Sequence, residues 1–481
     1  AVRQAFLDNG RVAVDEVEQR SALKYRPYPK HPDYISDLGG STLNGRALEP
    51  MPFDGRLLGG ELFALLRPPI PEFTVLGGMM VDRTDINHLL AMTQSWASLK
   101  HSVKIVLRHA LDRLSWPRGT RLVMGNAHVA RLLYSLSKFD KVTIALNTTV
   151  EHIVRGSHGV ERVDVESQGE RRSVRVNKGV VLASGGFNRH PELRAQMLPG
   201  VPAEWSPAAP GHTGQAHGLA KHLGAVYGQG GLSHAFWAPV SLRKRRDGST
   251  AVFPHFVMDR AKPGMITVNA KGERFLNEST SYHLFGLAMQ EAHRHTPSIP
   301  AYLVCDAEAL RKYGMGMVRP GGKGLAPFLA DGYLTEAATL ADLATQLGMD
   351  AQALQASVAQ NNCNAETGVD PEFHRGETAY QQNLGDPAWT GKNPNLGPLL
   401  QGPFYAVRLY PGDIGASTGF ATNAHAQVLG ADSQAINGLY AVGNDMHSIM
   451  GGTYPAPGIT IGPGLVFGRI AARHALGLSD Q

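Results

Sequence analysis

The sequence predicts an α/β fold in two domains, the first interrupted by an α+β insertion. Three observations carry this. A short, wholly apolar stretch, Gly179-Val180-Val181-Leu182-Ala183, runs into Ser184-Gly185-Gly186-Phe187, the pattern of a buried parallel strand whose C-terminal end touches a ligand. Strand-like Gly438-Leu439-Tyr440-Ala441-Val442 enters a Gly/Pro-rich run over 443–464, and a helical stretch, Leu465 to His474, leaves it. Between about 240 and 412 the pattern changes to mixed strands and helices, with Pro-rich loops near 388–403, and the strand-turn pattern resumes at 413. The expected domains are therefore 1–239, 240–412 and 413–481, the first and last forming one body.

Taken in order, the chain opens with a helical stretch, Ala1 to Leu7, and residues 11–25 read as an amphipathic helix with Val12, Val14, Val17 and Leu23 on one side. A Pro- and Tyr-rich loop follows, through Tyr34. Residues 84–115 read as one or two long helices, with Leu89, Leu90, Met92, Trp96, Leu99, Val103, Val106, Leu107, Ala110, Leu111 and Leu114 at helical spacings, a packing surface. Asn126 to Leu136 is another expected helix. Strand signals lie at Lys141 to Leu146, Val160 to Glu166 and Val174 to Val176, and Thr213-Gly214-Gln215 starts a helix through Leu219 and Leu223.

Composition excludes several classes. At 481 residues, with 43% hydrophobic and 18% charged residues, the chain reads as globular. A net charge of +5 without a basic patch gives nucleic-acid binding little support, and Arg243-Lys244-Arg245-Arg246 reads as a solvated turn. Cys305 and Cys363 cannot make a disulfide framework or a zinc site, so no metal is expected, and a reducing, cytoplasmic setting is. No apolar run approaches a membrane span. Three roles stay open for the 84–115 segment: capping a site, packing a dimer, or lying on a membrane surface.

The Gly/Pro-rich run cannot be a helix or central strand, and it brings bare backbone close to something. Strand, Gly-rich turn and helix start together present amides to a polar or anionic ligand. One tyrosine, Tyr454, stands in it between Gly451-Gly452 and Pro455-Ala456-Pro457-Gly458.

Val180 to Phe187, Asn269-Ala270-Lys271-Gly272-Glu273-Arg274-Phe275-Leu276-Asn277-Glu278 and Gly438 to Asn444 resemble the fumarate reductase/succinate dehydrogenase flavoprotein superfamily. Within it, Thr453-Tyr454-Pro455-Ala456-Pro457-Gly458 is similar to the Tyr-Pro-Gly-Pro-Gly motif of the 3-ketosteroid 1-dehydrogenases. The resemblance runs from about residue 20 to the end and implies a Rossmann-like FAD-binding domain with the inserted domain holding substrate. The family opens with a strand and Gly-x-Gly-x-x-Gly for the FAD pyrophosphate. Neither precedes Ala1, so an N-terminally truncated chain that binds FAD weakly or not at all is expected.

The resemblance also implies the chemistry. Soluble fumarate reductases carry an Arg about where Tyr454 lies, a His about where Ala416 lies, and an acid-relay Arg near Ser281-Tyr282. All three are absent, so the dicarboxylate clamp is lost. Tyrosines stand in the motifs instead: Tyr34 in Pro32-Asp33-Tyr34, Tyr282 after Asn277-Glu278, and Tyr454. The implied reaction is desaturation beside a ketone. Tyr454 and the Gly458 amide bind the carbonyl oxygen, Tyr282 assisted by Tyr34 removes the C2 proton, and hydride leaves C1 for flavin N5.

For FAD the resemblance implies Gly125, Asn126, Gly185, Gly186, Gly443, Asn444, Gly462 and Gly464, with Asn444 facing the ribityl hydroxyls and Gly462 to Gly464 pointing amides at the pyrimidine carbonyls. Glu278 and Arg274 read as a structural ion pair. The expected partners are a small apolar, steroid-like ketone and an external electron acceptor of unspecified identity. The alternatives are a flavoprotein acting at the steroid 4,5-bond, a reductase of an unsaturated acid, and a non-catalytic flavoprotein fragment.

Overall fold

The computed structural model describes residues 1–256 and 259–478. Its contacts group the chain into two compact units: residues 1–10, 30–44 and 147–481 form the first, and 11–29 with 45–146 the second.

Beside a three-stranded antiparallel sheet of Thr148–Gly156, Gly159–Ser167 and Glu170–Arg175, the first unit is built on two further sheets. In the smaller, Val180–Leu182 pairs in parallel with Ala435–Ala441, Val180 opposite Leu439, and Gln427–Leu429 adds an antiparallel strand. This is the strand pair expected at both Gly-rich turns, and it sets the two turns side by side. The larger sheet has six strands, all antiparallel, in the order Thr250–Pro254, Ala235–Lys244, Phe404–Ala416, Ala301–Cys305 and Met265–Val268, with Leu334–Ala337 also on Phe404–Ala416. Because successive side chains of a strand point to opposite faces, Met265 and Leu303 enter one buried cluster while Ile266 and Val304 enter the other. Burial on both faces explains why these strands read as continuous apolar runs. The helix Tyr282–His293 lies on Ala235–Lys244, and Gly286 makes the approach possible: a Cβ there would stand 2.6 Å from the Trp237 Cβ. The final helix, Ile461–Ala475, leaves the Gly/Pro-rich run as expected.

Several local expectations shift. The opening stretch and residues 11–20 form one helix, Val2–Arg20, which stops short of Leu23. Residues 141–146 are not a strand: no strand pairs with them among the described residues, and Val142, Ile144 and Leu146 are exposed. Arg243 and Lys244 belong to strand Ala235–Lys244, and the turn begins only at Arg245.

In the second unit the 84–115 segment divides into Arg83–Leu90 and Trp96–Ser115. Asp82 caps the first in a reciprocal capping box with Asp85, which also binds Arg121 at 2.7 Å and His101 at 2.8 Å. Trp96–Ser115 reverses the expected packing. Its buried side is Ser98, Ser102, Ile105, His109 and Asp112, whereas Trp96, Val103, Leu107, Leu111 and Leu114 face solvent. Asp112 accepts from both the amide and the hydroxyl of Thr120 at 2.8 Å. The unit's apolar core lies elsewhere, around Phe53, Leu58, Phe63, Leu66, Leu122, Ala127 and Ala130. No helix among the described residues is long and apolar enough to cross a membrane.

Candidate active site

Tyr34, Tyr282 and Tyr454, far apart in sequence, meet in one buried cluster of the first unit with Tyr380 and Phe236. The Tyr34 and Tyr282 hydroxyls are 2.9 Å apart. The rings of Tyr34 and Tyr454 stack at 5.6 Å and 12°, and Tyr282 meets Tyr454 edge-on at 5.1 Å. Tyr380 packs on Tyr34 at 4.8 Å, and Phe256 on Tyr282 at 4.9 Å. Each ring is held by its own element. Tyr34 sits on a strap whose ends are tied by Asp33 and Thr42, and its amide donates to the Pro455 carbonyl at 2.8 Å. Tyr282 is the first residue of its helix, whose cap, the Ser281 hydroxyl, accepts from the Leu284 amide, so it stands at the positive end of the helix dipole. Tyr454 is carried by the Gly/Pro-rich run, as expected.

Burial sets the electrostatics. It pushes Tyr34 and Tyr282 well above the ordinary phenol value, reinforced by the neighbouring phenols, and it raises Tyr454 as well. Tyr380 is pushed up to about 12 by burial, with the Arg260 charge opposing. His283, beside Tyr454 at 6.2 Å, is brought down to about 4 by burial, and its Nδ1 accepts the Trp237 amide, so the imidazole is neutral. Arg260 is fully buried next to the cluster. Neither Tyr380 nor Arg260 lies in a recognisable motif, and the sequence reading missed both. Glu278 and Arg274 do pair, at 2.8 Å, and Asp370 and Arg375 join them.

Gly458 has a positive φ of 83°, and a Cβ there would meet nothing within 4 Å. Its amide has no protein acceptor among the described residues, which leaves a donor free in the Tyr454 loop. The amides of Gly462 and Gly464, in contrast, donate to the carbonyls of Gly458 at 2.7 Å and Thr460 at 3.2 Å. The free donors of this helix start therefore lie earlier, towards Gly458.

Gly186, Asn444, Gly443 and Gly464 are contiguous. A Cβ on Gly186 would fall 3.4 Å from the Asn444 Cβ, and one on Gly464 would fall 3.6 Å from the Gly443 Cα. Gly185 and Gly186, at φ of 93° and 95°, are demanded by their neighbours, the His212 ring and the Ala416 Cβ. Asp445, unassigned from sequence, ties the two Gly-rich turns together. It is fully buried and accepts from the Ser184 amide, the Ser184 hydroxyl at 3.0 Å, the Gly186 amide at 2.8 Å and His217 Nε2 at 3.0 Å. Only its place beside Gly443-Asn444 signalled it.

A dinucleotide fits this frame. Cβ atoms on Gly443, Gly458 and Gly462 would enter open space beside a helix N-terminus, a ready cradle for polar ligand groups. In the second unit, Gly125 and Asn126 stand on the first turn of the helix Met124–Leu136, after Met124 at a positive φ of 52°. The Asn126 Oδ1 is buried with no partner among the described residues, an acceptor awaiting a donor.

Comparison with known proteins agrees. A family model described as "FAD binding domain" matches residues 1–461. The chain belongs to this FAD-binding family. It is 34% identical to a 4-oxocyclohex-2-ene-1-carboxylate 5-dehydrogenase from Sinomonas cyclohexanicum, over 99% of this chain and 80% of that one. It is 34% identical to a 3-oxosteroid 1-dehydrogenase from Mycolicibacterium smegmatis, over 97% and 81%. Among solved structures, a 3-ketosteroid delta1-dehydrogenase from Sterolibacterium denitrificans, in complex with 1,4-androstadiene-3,17-dione, superposes with a TM-score of 0.90 at 34% identity, covering 98% of this chain and 85% of that one. As a member of the family, the protein is an FAD-dependent oxidoreductase acting on CH–CH groups, with a mixed α/β flavoprotein dehydrogenase fold.

Proposed function

We propose that the protein desaturates a flat, apolar cyclic ketone beside its carbonyl, with 3-ketosteroid 1,2-desaturation the leading case. The observation that carries this is the 2.9 Å contact between the Tyr34 and Tyr282 hydroxyls under the edge of Tyr454. Tyr454, kept neutral by burial, and the free Gly458 amide donate to the carbonyl oxygen, where negative charge grows as the C2 proton leaves. Tyr282 takes that proton as a phenolate, with the Tyr34 hydroxyl donating to it and the helix N-terminus favouring its charge. Bound FAD supplies the acceptor for the hydride from C1. Within the first unit, Gly443, Asn444 and the Gly458–Gly464 turn are the residues we assign to hold it.

Two relatives act on named cyclic ketones of different character, one of them a carboxylate. The walls favour the apolar one: Phe236, Phe256, Tyr380 and Tyr454 pack around the Tyr34–Tyr282 pair, and the cation described beside it, Arg260, spends its donors on backbone carbonyls. The reading is tested with purified flavin-loaded protein, an artificial electron acceptor, and either a 3-ketosteroid or 4-oxocyclohexanecarboxylate. Faster turnover of the steroid is expected. Turnover of the carboxylate alone would move the assignment to monocyclic oxo acids, and reduction of fumarate without either would end it.

A further inference from the structure

We infer that Arg260 is the cation that tunes the Tyr34–Tyr282 hydroxyl pair towards phenolate while fixing the turn on which Tyr282 stands, a positioning role that rests on the proton abstraction proposed above. Arg260 is fully buried. Its Nε donates to the His255 carbonyl at 2.9 Å, Nη1 to those of Glu278 and Thr280 at 2.5 and 2.7 Å, and Nη2 to that of Phe256 at 3.0 Å. The Thr280 carbonyl immediately precedes Ser281, the cap of the helix that begins at Tyr282, and the Glu278 carbonyl lies two residues before Thr280. The guanidinium thus grips the backbone of the base.

Every acceptor of this fork is a neutral carbonyl, so the positive charge is not cancelled at contact by a carboxylate. The charged groups packed around it are committed elsewhere. Asp259 accepts from His255 Nδ1 at 2.6 Å, the Gly316 amide at 2.7 Å and the Arg260 amide at 2.7 Å. Burial alone would raise its carboxyl, yet His255 and these donors hold it at about 2, an anion turned to His255. His255 passes its other nitrogen to the Ser241 hydroxyl at 2.8 Å, which meets the Tyr333 hydroxyl. Glu278 is claimed by Arg274 and Arg375, and Arg375 also binds the Arg260 carbonyl at 3.4 Å. Tyr380 and Tyr454 pack on the pair's rings, neutral His283 lies beside Tyr454, and no carboxylate bonds any of the four tyrosines among the described residues. In a site from which water is excluded, a fixed cation is what opposes the cost of an anionic phenol. The Arg260 charge accordingly opposes burial at both Tyr34 and Tyr380.

The test uses flavin-loaded protein and two charge-removing changes of opposite sign, Arg260→Gln and the isosteric Asp259→Asn, with Arg260→Lys as the charge-retaining control. The readouts are the acid limb of kcat/KM against pH and the tyrosinate absorbance titration, with Tyr282→Phe identifying the signal of the pair. Arg260→Gln moves both midpoints up by about one unit, a roughly tenfold loss at any pH below the limb. Arg260→Lys leaves the midpoints in place, and Asp259→Asn moves them down. Either charge-removing variant decides the matter if the other does not fold. A rate lowered equally at all pH with an unmoved tyrosinate midpoint, or an Asp259→Asn shift in the upward direction, overturns the proposal. If the wild type turns over no cyclic ketone, the desaturation reading falls, and the tyrosinate titration still decides the role of Arg260.

Discussion

The tyrosine cluster and the helix Trp96–Ser115 break the ordinary inside-outside rule in opposite ways. In the cluster, phenol hydroxyls and a guanidinium are buried together. On the helix, serine, histidine and aspartate face inward while Trp96, Leu107, Leu111 and Leu114 face solvent, Leu114 being 82% exposed. Exposed apolar atoms are common on protein surfaces and cost a fold little, whereas a buried polar group is retained only when its partners are in place. The difference separates what the fold tolerates from what it must satisfy. In the cluster the Tyr34 and Tyr282 hydroxyls meet each other and the Arg260 guanidinium meets backbone carbonyls. The Tyr380 hydroxyl is buried with no partner among the described residues, a polar group kept at a cost that marks the cluster as the working part.

Substitutions sharpen the contrast in order of effect. Tyr282→Phe removes the proton acceptor and should slow turnover by about 10³-fold while flavin stays bound, read by stopped-flow bleaching of the flavin on mixing with ketone. Asp445→Asn leaves four donors facing a weaker acceptor and should cost about 3 kcal/mol of stability, measured by denaturant unfolding. Burial would raise the Asp445 carboxyl, but His217 and the Ser184 donors hold it below its ordinary value. A depressed folded value contributes stability above the unfolded carboxylate range, near pH 4, and that stability is lost as pH falls through the folded value. The wild type should therefore lose its advantage over Asp445→Asn on acidification below about pH 4. An advantage that instead grew with acid would refute the assignment.

Gly458→Ala meets no atom within 4 Å, so its effect comes from the positive φ alone: a strain of about 1–2 kcal/mol that displaces the amide, seen as a lower kcat for the ketone on flavin-loaded protein. Leu107→Glu with Leu111→Glu should change the melting free energy by under about 0.5 kcal/mol, because neither side chain is buried. A large destabilisation there would mean that the helix face is covered in solution.

How much of this was legible depended on whether the information was local. The Gly/Pro-rich run and the two strands that meet at it declared themselves by pattern, as did Tyr454 and Tyr282 by motif. The contact between Tyr34 and Tyr282 spans 248 residues of sequence, and no local pattern encodes it. Arg260 and Tyr380 act through backbone carbonyls and ring packing, which any sequence context permits, so neither left a mark. Asp445 sat inside the most informative run and was passed over, because a carboxylate that serves backbone amides looks like any turn aspartate. Residues 141–146 alternate as a strand would, but alternation does not supply a pairing strand, and Val142, Ile144 and Leu146 remain exposed. On Trp96–Ser115 the helical period was read correctly and the face was not: periodicity finds the apolar side of a helix without saying which way it points.

The strap that carries Tyr34 has a bearing on how the protein folds. Its hydroxyl pair joins positions 248 apart, and its amide reaches Pro455 across most of the chain. Such long loops close late, after local helices and hairpins have formed. In a refolding experiment helical signal should therefore return before turnover, and the tyrosine pair would report the last closure of the chain rather than the first collapse.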